Sequence, residues 1–120
     1  MGKMSKILII EDEVSIRRVL VKILSEENTN YKVSEAEDGF KGIELIKKEN
    51  FDLVLCDIKM PKMDGIEVLI ASKKIKPEIP IVMISGHGDL NTAVQAMRLD
   101  AFDYISKPPD LNRLLNTVRI

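Results

Sequence analysis

Short apolar runs alternate along the chain with longer stretches in which apolar residues recur every three or four positions. The runs cover 6–10, 31–35, 52–56, 79–84 and 101–105. Three of them are almost wholly apolar and rich in β-branched residues, the pattern of strands covered on both faces. The run at 31–35 alternates, as an edge strand does. Between the runs lie five helix candidates. Leu111, Leu114, Leu115 and Val118 fall at i, i+3, i+4 and i+7, and Leu90, Ala93, Val94 and Met97 repeat that spacing. Ile16, Val19, Leu20, Ile23 and Leu24 form another stripe, and Phe40, Ile43 and Ile46 a shorter one. Ile66, Leu69 and Ile70 mark a helix that ends before Pro77. Asp89 and Asp110 stand where N-caps are expected.

The order is (βα)5. Strict alternation predicts an α/β fold, a doubly wound five-stranded parallel sheet with right-handed crossovers and helices on both faces. The expected strand order is 2-1-3-4-5, which sets the first and third strands side by side where the connectivity reverses. A chain of 120 residues suits one domain over 1–120, with 1–5 as a flexible N-terminus. With 18 basic and 19 acidic residues, net charge gives no reason to expect nucleic-acid binding. The lone Cys56 lies in an apolar run, reads as a small buried hydrophobe, and fits a reducing compartment. Nothing resembles a signal peptide, and no apolar stretch approaches the ~20 residues of a membrane helix. The expected setting is cytoplasmic, away from membranes.

The polar residues at the carboxyl ends of the strands carry the chemistry. The first strand delivers Glu11, Asp12 and Glu13, the third Asp57, the fourth Ser85, and the fifth Ser106 and Lys107. Asp57 closes an apolar run and is followed at once by Pro61 and Asp64-Gly65, which force a turn. With the expected strand order, Glu11, Asp12 and Asp57 share one pocket, with Ser85 and Lys107 opposite. Three carboxylates packed together repel one another and raise a pKa unless a cation joins them. Oxygen ligands with open positions suit Mg²⁺, or Mn²⁺, which keeps waters for an incoming phosphoryl group. Lys107 and the Ser85 hydroxyl would complete a clamp on phosphoryl oxygens. The nucleophile is then a carboxylate, and Asp57 is the best placed. Glu13 reads instead as a first-turn acid complementing a helix dipole.

These residues resemble the receiver domain of two-component response regulators, over essentially the whole chain from Lys6 onward. Glu11-Asp12 is similar to the acidic pair, Asp57 to the phosphoacceptor, Ser85 to the hydroxyl residue and Lys107-Pro108 to the Lys-Pro pair of that family. The segment Met60-Pro61-Lys62-Met63-Asp64-Gly65 matches the family's loop after the phosphoacceptor, and Glu11 replaces the more usual Asp. The resemblance implies a flavodoxin-like fold and phosphoryl transfer from a sensor histidine kinase or phosphotransfer protein onto Asp57. It places the metal on Asp12, Asp57 and the Lys59 backbone carbonyl, with Glu11 acting through water. Tyr104 matches the aromatic that swings inward on activation, while Lys59 and His87 match positions that tune the lifetime of the phosphoryl group.

The implied protein is a signalling domain that catalyses only its own phosphorylation and dephosphorylation. It would switch the face of the fourth helix, fifth strand and fifth helix, through which a homodimer can form. It is expected either to stand alone or to be followed after Ile120 by a C-terminal effector domain. The segments 85–89 and 101–104 locally resemble receivers of nitrogen-regulatory transcriptional activators. Two other functions share parts of the pattern. A flavodoxin-type flavin carrier would need a Ser/Thr/Gly-rich phosphate loop where Glu11-Asp12-Glu13 stands. An aspartate-nucleophile phosphatase would need a second acid two residues past Asp57, where Lys59 stands. The lone His87 otherwise reads as a loop residue, and Tyr104 equally as packing.

Overall fold

A computed structural model describes residues 5–27, 30–85, 90–106 and 111–118. In order they form β1 (Ser5–Ile10), α1 (Val14–Glu27), β2 (Tyr31–Ala36), α2 (Gly39–Lys48), β3 (Leu53–Asp57), α3 (Gly65–Ile75), β4 (Ile81–Ser85), α4 (Leu90–Arg98), β5 (Asp103–Ser106) and α5 (Leu111–Val118). The five strands are parallel in the order β2-β1-β3-β4-β5, as the alternation predicts.

Strand alternation splits the core into two layers. Leu8, Ile10, Val54, Cys56, Ile81 and Met83 face one side of the sheet, where Ile46 of α2, Val68 and Leu69 of α3 and Ala96 of α4 cover them. Ile7, Ile9, Leu53, Leu55, Val82 and Ile84 face the other side, beneath Leu20 and Leu24 of α1 and Leu114 and Val118 of α5. Burial on both faces explains why β3 and β4 read as continuous apolar runs. β2 lies at the edge and alternates accordingly.

Several local expectations change. β1 begins at Ser5, whose N–H donates to Asn30 O at 3.0 Å, so the last residue of the segment expected to be flexible is already in the sheet. β3 and β4 each run one residue further than their apolar runs, so Asp57 and Ser85 are terminal strand residues rather than the first residues beyond. The expected inward stripe of α4 is turned: Val94 and Met97 are exposed, and Ala96 is fully buried. Val19 and Phe40, placed in core stripes by spacing, are also exposed. The expected N-caps Asp89 and Asp110 lie outside the described residues. The observed caps are Asp38 on α2 and Asp64 on α3, the latter in a reciprocal capping box with Glu67. α4 ends in a Schellman motif, with Asp100 N to Met97 O, Ala101 N to Ala96 O and Asp100 at φ 66°.

Ser72 of α3 is fully buried, and its hydroxyl has no hydrogen-bond partner among the described residues. An unmatched buried hydroxyl costs its desolvation. Ser72→Ala is therefore expected to raise stability by about 1 kcal/mol, read as a higher urea midpoint at unchanged slope.

Candidate phosphoacceptor and cation site

The register of the sheet brings the acidic residues together. Ile10 pairs with Cys56, so the residues following each, Glu11 and Asp57, emerge side by side at the carboxyl edge. Glu11 extends the β1–β2 ladder by donating its N–H to Ala36 O at 3.1 Å, and Ile58 extends β3 by donating to Ile84 O at 3.0 Å. Rigid ladder geometry therefore fixes the backbone from which both carboxylates project. Oxygens of Glu11, Asp12 and Asp57 lie within 4.8 Å of one another. Glu11 and Asp57 are buried, with exposures of 1% and 6%, while Asp12 is half-buried and opens the group to solvent. Ser85, also buried, ends the neighbouring strand one residue past the partner of Asp57.

The loop after Asp57 is tightly held. Met63 N donates to Pro61 O at 2.8 Å across Lys62 at φ 71°, a strained three-residue γ-turn of the kind found at functional sites. Gly65 then returns to donate its N–H to Ile58 O at 2.7 Å. A Cβ at Gly65 would strike the Asp57 carbonyl oxygen, with Ile58 Cα only 2.7 Å away. The glycine is needed here for close backbone approach.

The structure thus joins Glu11, Asp12 and Asp57 and places Ser85 at the same sheet end. Lys59 has an exposed side chain next to that loop. Lys107 and His87 lie outside the described residues. Tyr104 packs against the layer beneath α4, and its hydroxyl is buried with no hydrogen-bond partner among the described residues. The donor set fits a hard divalent cation, since three carboxylates converge and one is open to water. Arg17 escaped the sequence reading. Its Nη1 donates to Glu11 O at 2.8 Å and its Nε to Glu35 Oε1 at 3.0 Å.

The family model described as response regulator receiver domain matches residues 7–119. The chain belongs to that family. Among curated relatives, this receiver is 37% identical over 117 residues to the transcriptional regulatory protein ZraR of Klebsiella oxytoca, covering 98% of this chain and 26% of ZraR. It spans about a quarter of such regulators. It is 33% identical to sporulation initiation phosphotransferase F of Bacillus subtilis, covering 95% of this chain and 90% of that protein. Among solved structures, the receiver domain of NtrX from Brucella abortus superposes with a TM-score of 0.85 at 40% identity, covering 92% of each chain. The flavin-carrier and phosphatase readings find no support beside these. Among the described residues, no helix of the receiver is long and apolar enough to cross a membrane.

Cys56 adjoins the phosphoacceptor but faces inward. Burial pushes its thiol well above the usual range, and the neighbouring charges of Asp57, Glu11 and Asp64 push it the same way. The thiolate is the reactive form. In the native receiver at about pH 8, Cys56 is expected to resist a thiol-exchange reagent and to react at once in urea, as absorbance of the released thiol would show. A native-state reaction as fast as the unfolded one would contradict this. Gly65→Ala is expected to cost about 1–3 kcal/mol in urea denaturation, because backbone rather than a side-chain tip must yield.

Proposed function

We propose that this receiver accepts a phosphoryl group on Asp57 from a histidine kinase or phosphotransfer protein and uses it to switch a remote face. The observation that carries the reading is the convergence of Glu11, Asp12 and Asp57 at the carboxyl edge, with Asp57 anchored in a fully buried strand.

The carboxylate of Asp57 attacks the donor phosphorus. An O–P bond forms as the N–P bond to the donor histidine breaks, and the electron pair leaves with the imidazole. Glu11, Asp12, Asp57 and the Lys59 carbonyl would hold Mg²⁺ or Mn²⁺. When bound, the cation offsets charge on the carboxylates and on the transferring phosphoryl oxygens. The Ser85 hydroxyl and the Lys107 ammonium take the remaining oxygens. Lys59 and His87 tune the lifetime of the acyl phosphate. Hydrolysis of Asp57 phosphate is then the domain's own second reaction, and no other substrate is turned over.

Movement of Ser85 toward the phosphoryl group vacates space that Tyr104 fills, coupling the site to the face of α4, β5 and α5. Exposed Val94, Met97 and Phe102 on and beside that face supply apolar area for a second copy or a partner. The similarity to ZraR and NtrX supports a C-terminal effector domain under this control. The setting is cytoplasmic, where the kinase's phosphoryl groups are available.

Incubation with Mg²⁺ and acetyl phosphate or phosphoramidate is expected to add the mass of one phosphoryl group to the intact protein. Chelation should prevent the addition, and Asp57→Ala should abolish it. No adduct on the wild type, or an adduct that survives Asp57→Ala, would sink the assignment.

A further inference from the structure

One side chain bound to this site has no place in the chemistry above. Arg17 lies in the first turn of α1, which its own N–H closes by donating to Glu13 O at 2.9 Å. Its guanidinium turns back over the loop between β1 and α1. Nη1 donates to the main-chain oxygen of Glu11 at 2.8 Å, and Nε donates to Glu35 Oε1 on the edge strand β2 at 3.0 Å. The Arg17 side chain is only 13% exposed.

The oxygen it holds belongs to the peptide bond that joins Glu11 to Asp12. That unit is planar, so fixing its oxygen while the Glu11 N–H is fixed on Ala36 O sets the direction in which the Glu11 side chain leaves the backbone and the place from which the Asp12 side chain starts. Two adjacent carboxylates that repel one another and Asp57 would otherwise rotate this peptide to separate. A guanidinium suits the task because its planar fork reaches two acceptors at a fixed angle, which an ammonium does not. The carboxylate of Glu35 anchors the fork, and its ladder position opposite Ile9 ties that anchor to the same sheet.

We propose that Arg17 is a positioning residue for the cation site: the Glu35–Arg17–Glu11 carbonyl chain orients the Glu11 and Asp12 carboxylates for the divalent ion. The proposal rests on the reading of that acidic group as a cation site. Outer partners of metal ligands commonly carry about 10–100-fold in metal affinity.

The test is Mg²⁺ binding by isothermal titration calorimetry, with thermal midpoints measured in parallel. Arg17→Met is expected to weaken Mg²⁺ binding by about 10-fold or more, and Arg17→Lys to recover little of it. In phosphorylation by acetyl phosphate, the Mg²⁺ concentration giving half-maximal rate should rise in proportion, while the rate at saturating Mg²⁺ stays close to wild type. Lys6→Met serves as the control, since it removes an ion pair to Glu49 at the opposite end of the sheet. It should lower the thermal midpoint without changing Mg²⁺ affinity. Affinity within about twofold of wild type in Arg17→Met, or full affinity in Arg17→Lys, overturns the role. Should Arg17→Met fail to fold, Arg17→Lys alone decides. A wild type that binds no Mg²⁺ removes the cation site itself, an outcome distinct from a wild type that binds while the variants bind equally well.

Discussion

Three carboxylates gathered at the carboxyl edge of one sheet are the constraint on which the rest of the structure turns. At 4.8 Å, two full negative charges repel by about 3 kcal/mol at the effective dielectric of a protein site. No flexible loop would keep Glu11 and Asp57 there, because each could lower its energy by swinging into water. The backbone prevents it. Asp57 is the last residue of a strand paired on both sides, and Glu11 still belongs to the ladder through Ala36 O. The energy that holds the charges together comes from apolar burial in the two layers below, exerted through main-chain hydrogen bonds.

That division of labour explains the composition of the central strands. β3 is buried along its whole length, so every position but its last is spent on packing. A polar residue inside it would have no partner, while one at the tip meets the other acids of the carboxyl edge. The same holds for β4, which ends on Ser85. The return of Gly65 onto the Asp57 carbonyl, and the γ-turn at Lys62, keep the following loop from opening behind the acid. Stability and chemistry thus share residues only at strand tips.

The parallel sheet, its order and the gathering of Glu11, Asp12 and Asp57 were legible because two-face burial writes itself into the sequence as uninterrupted apolar runs. Strand ends were less so. Polarity marks where apolar side chains stop, whereas burial and the ladder continue one residue further, through Ile58 N and Ile84 O. The α4 stripe misled for a different reason: Val94 and Met97 outrank Ala96 in hydrophobicity, yet a small residue is what fits against the sheet. Spacing finds a face without saying which way it points. The capping box of Asp64 and Glu67 was available as an acid three residues before a glutamate, overshadowed by the Asp-Gly turn signal. Arg17 had no signal, since its two acceptors belong to residues that only the folded sheet brings together.

The opposite end of the sheet shows why the chemistry is confined to one edge. It is also rich in charge, but every described lysine contact there ends on a structural acceptor. Lys73 Nζ donates to Ile79 O at 2.8 Å, and Lys76 Nζ to Glu49 O at 2.6 Å and Asn50 Oδ1 at 2.7 Å. Lys6 pairs with Glu49 while its ammonium lies 5.5 Å from the centre of the Phe51 ring. These cations are matched locally by carbonyls, an amide oxygen and a single acid. At the carboxyl edge three acids converge, while Arg17 is turned onto a main-chain oxygen and Glu35. Three acids held together by packing are what fits that edge, and not the amino edge, to a hard divalent cation.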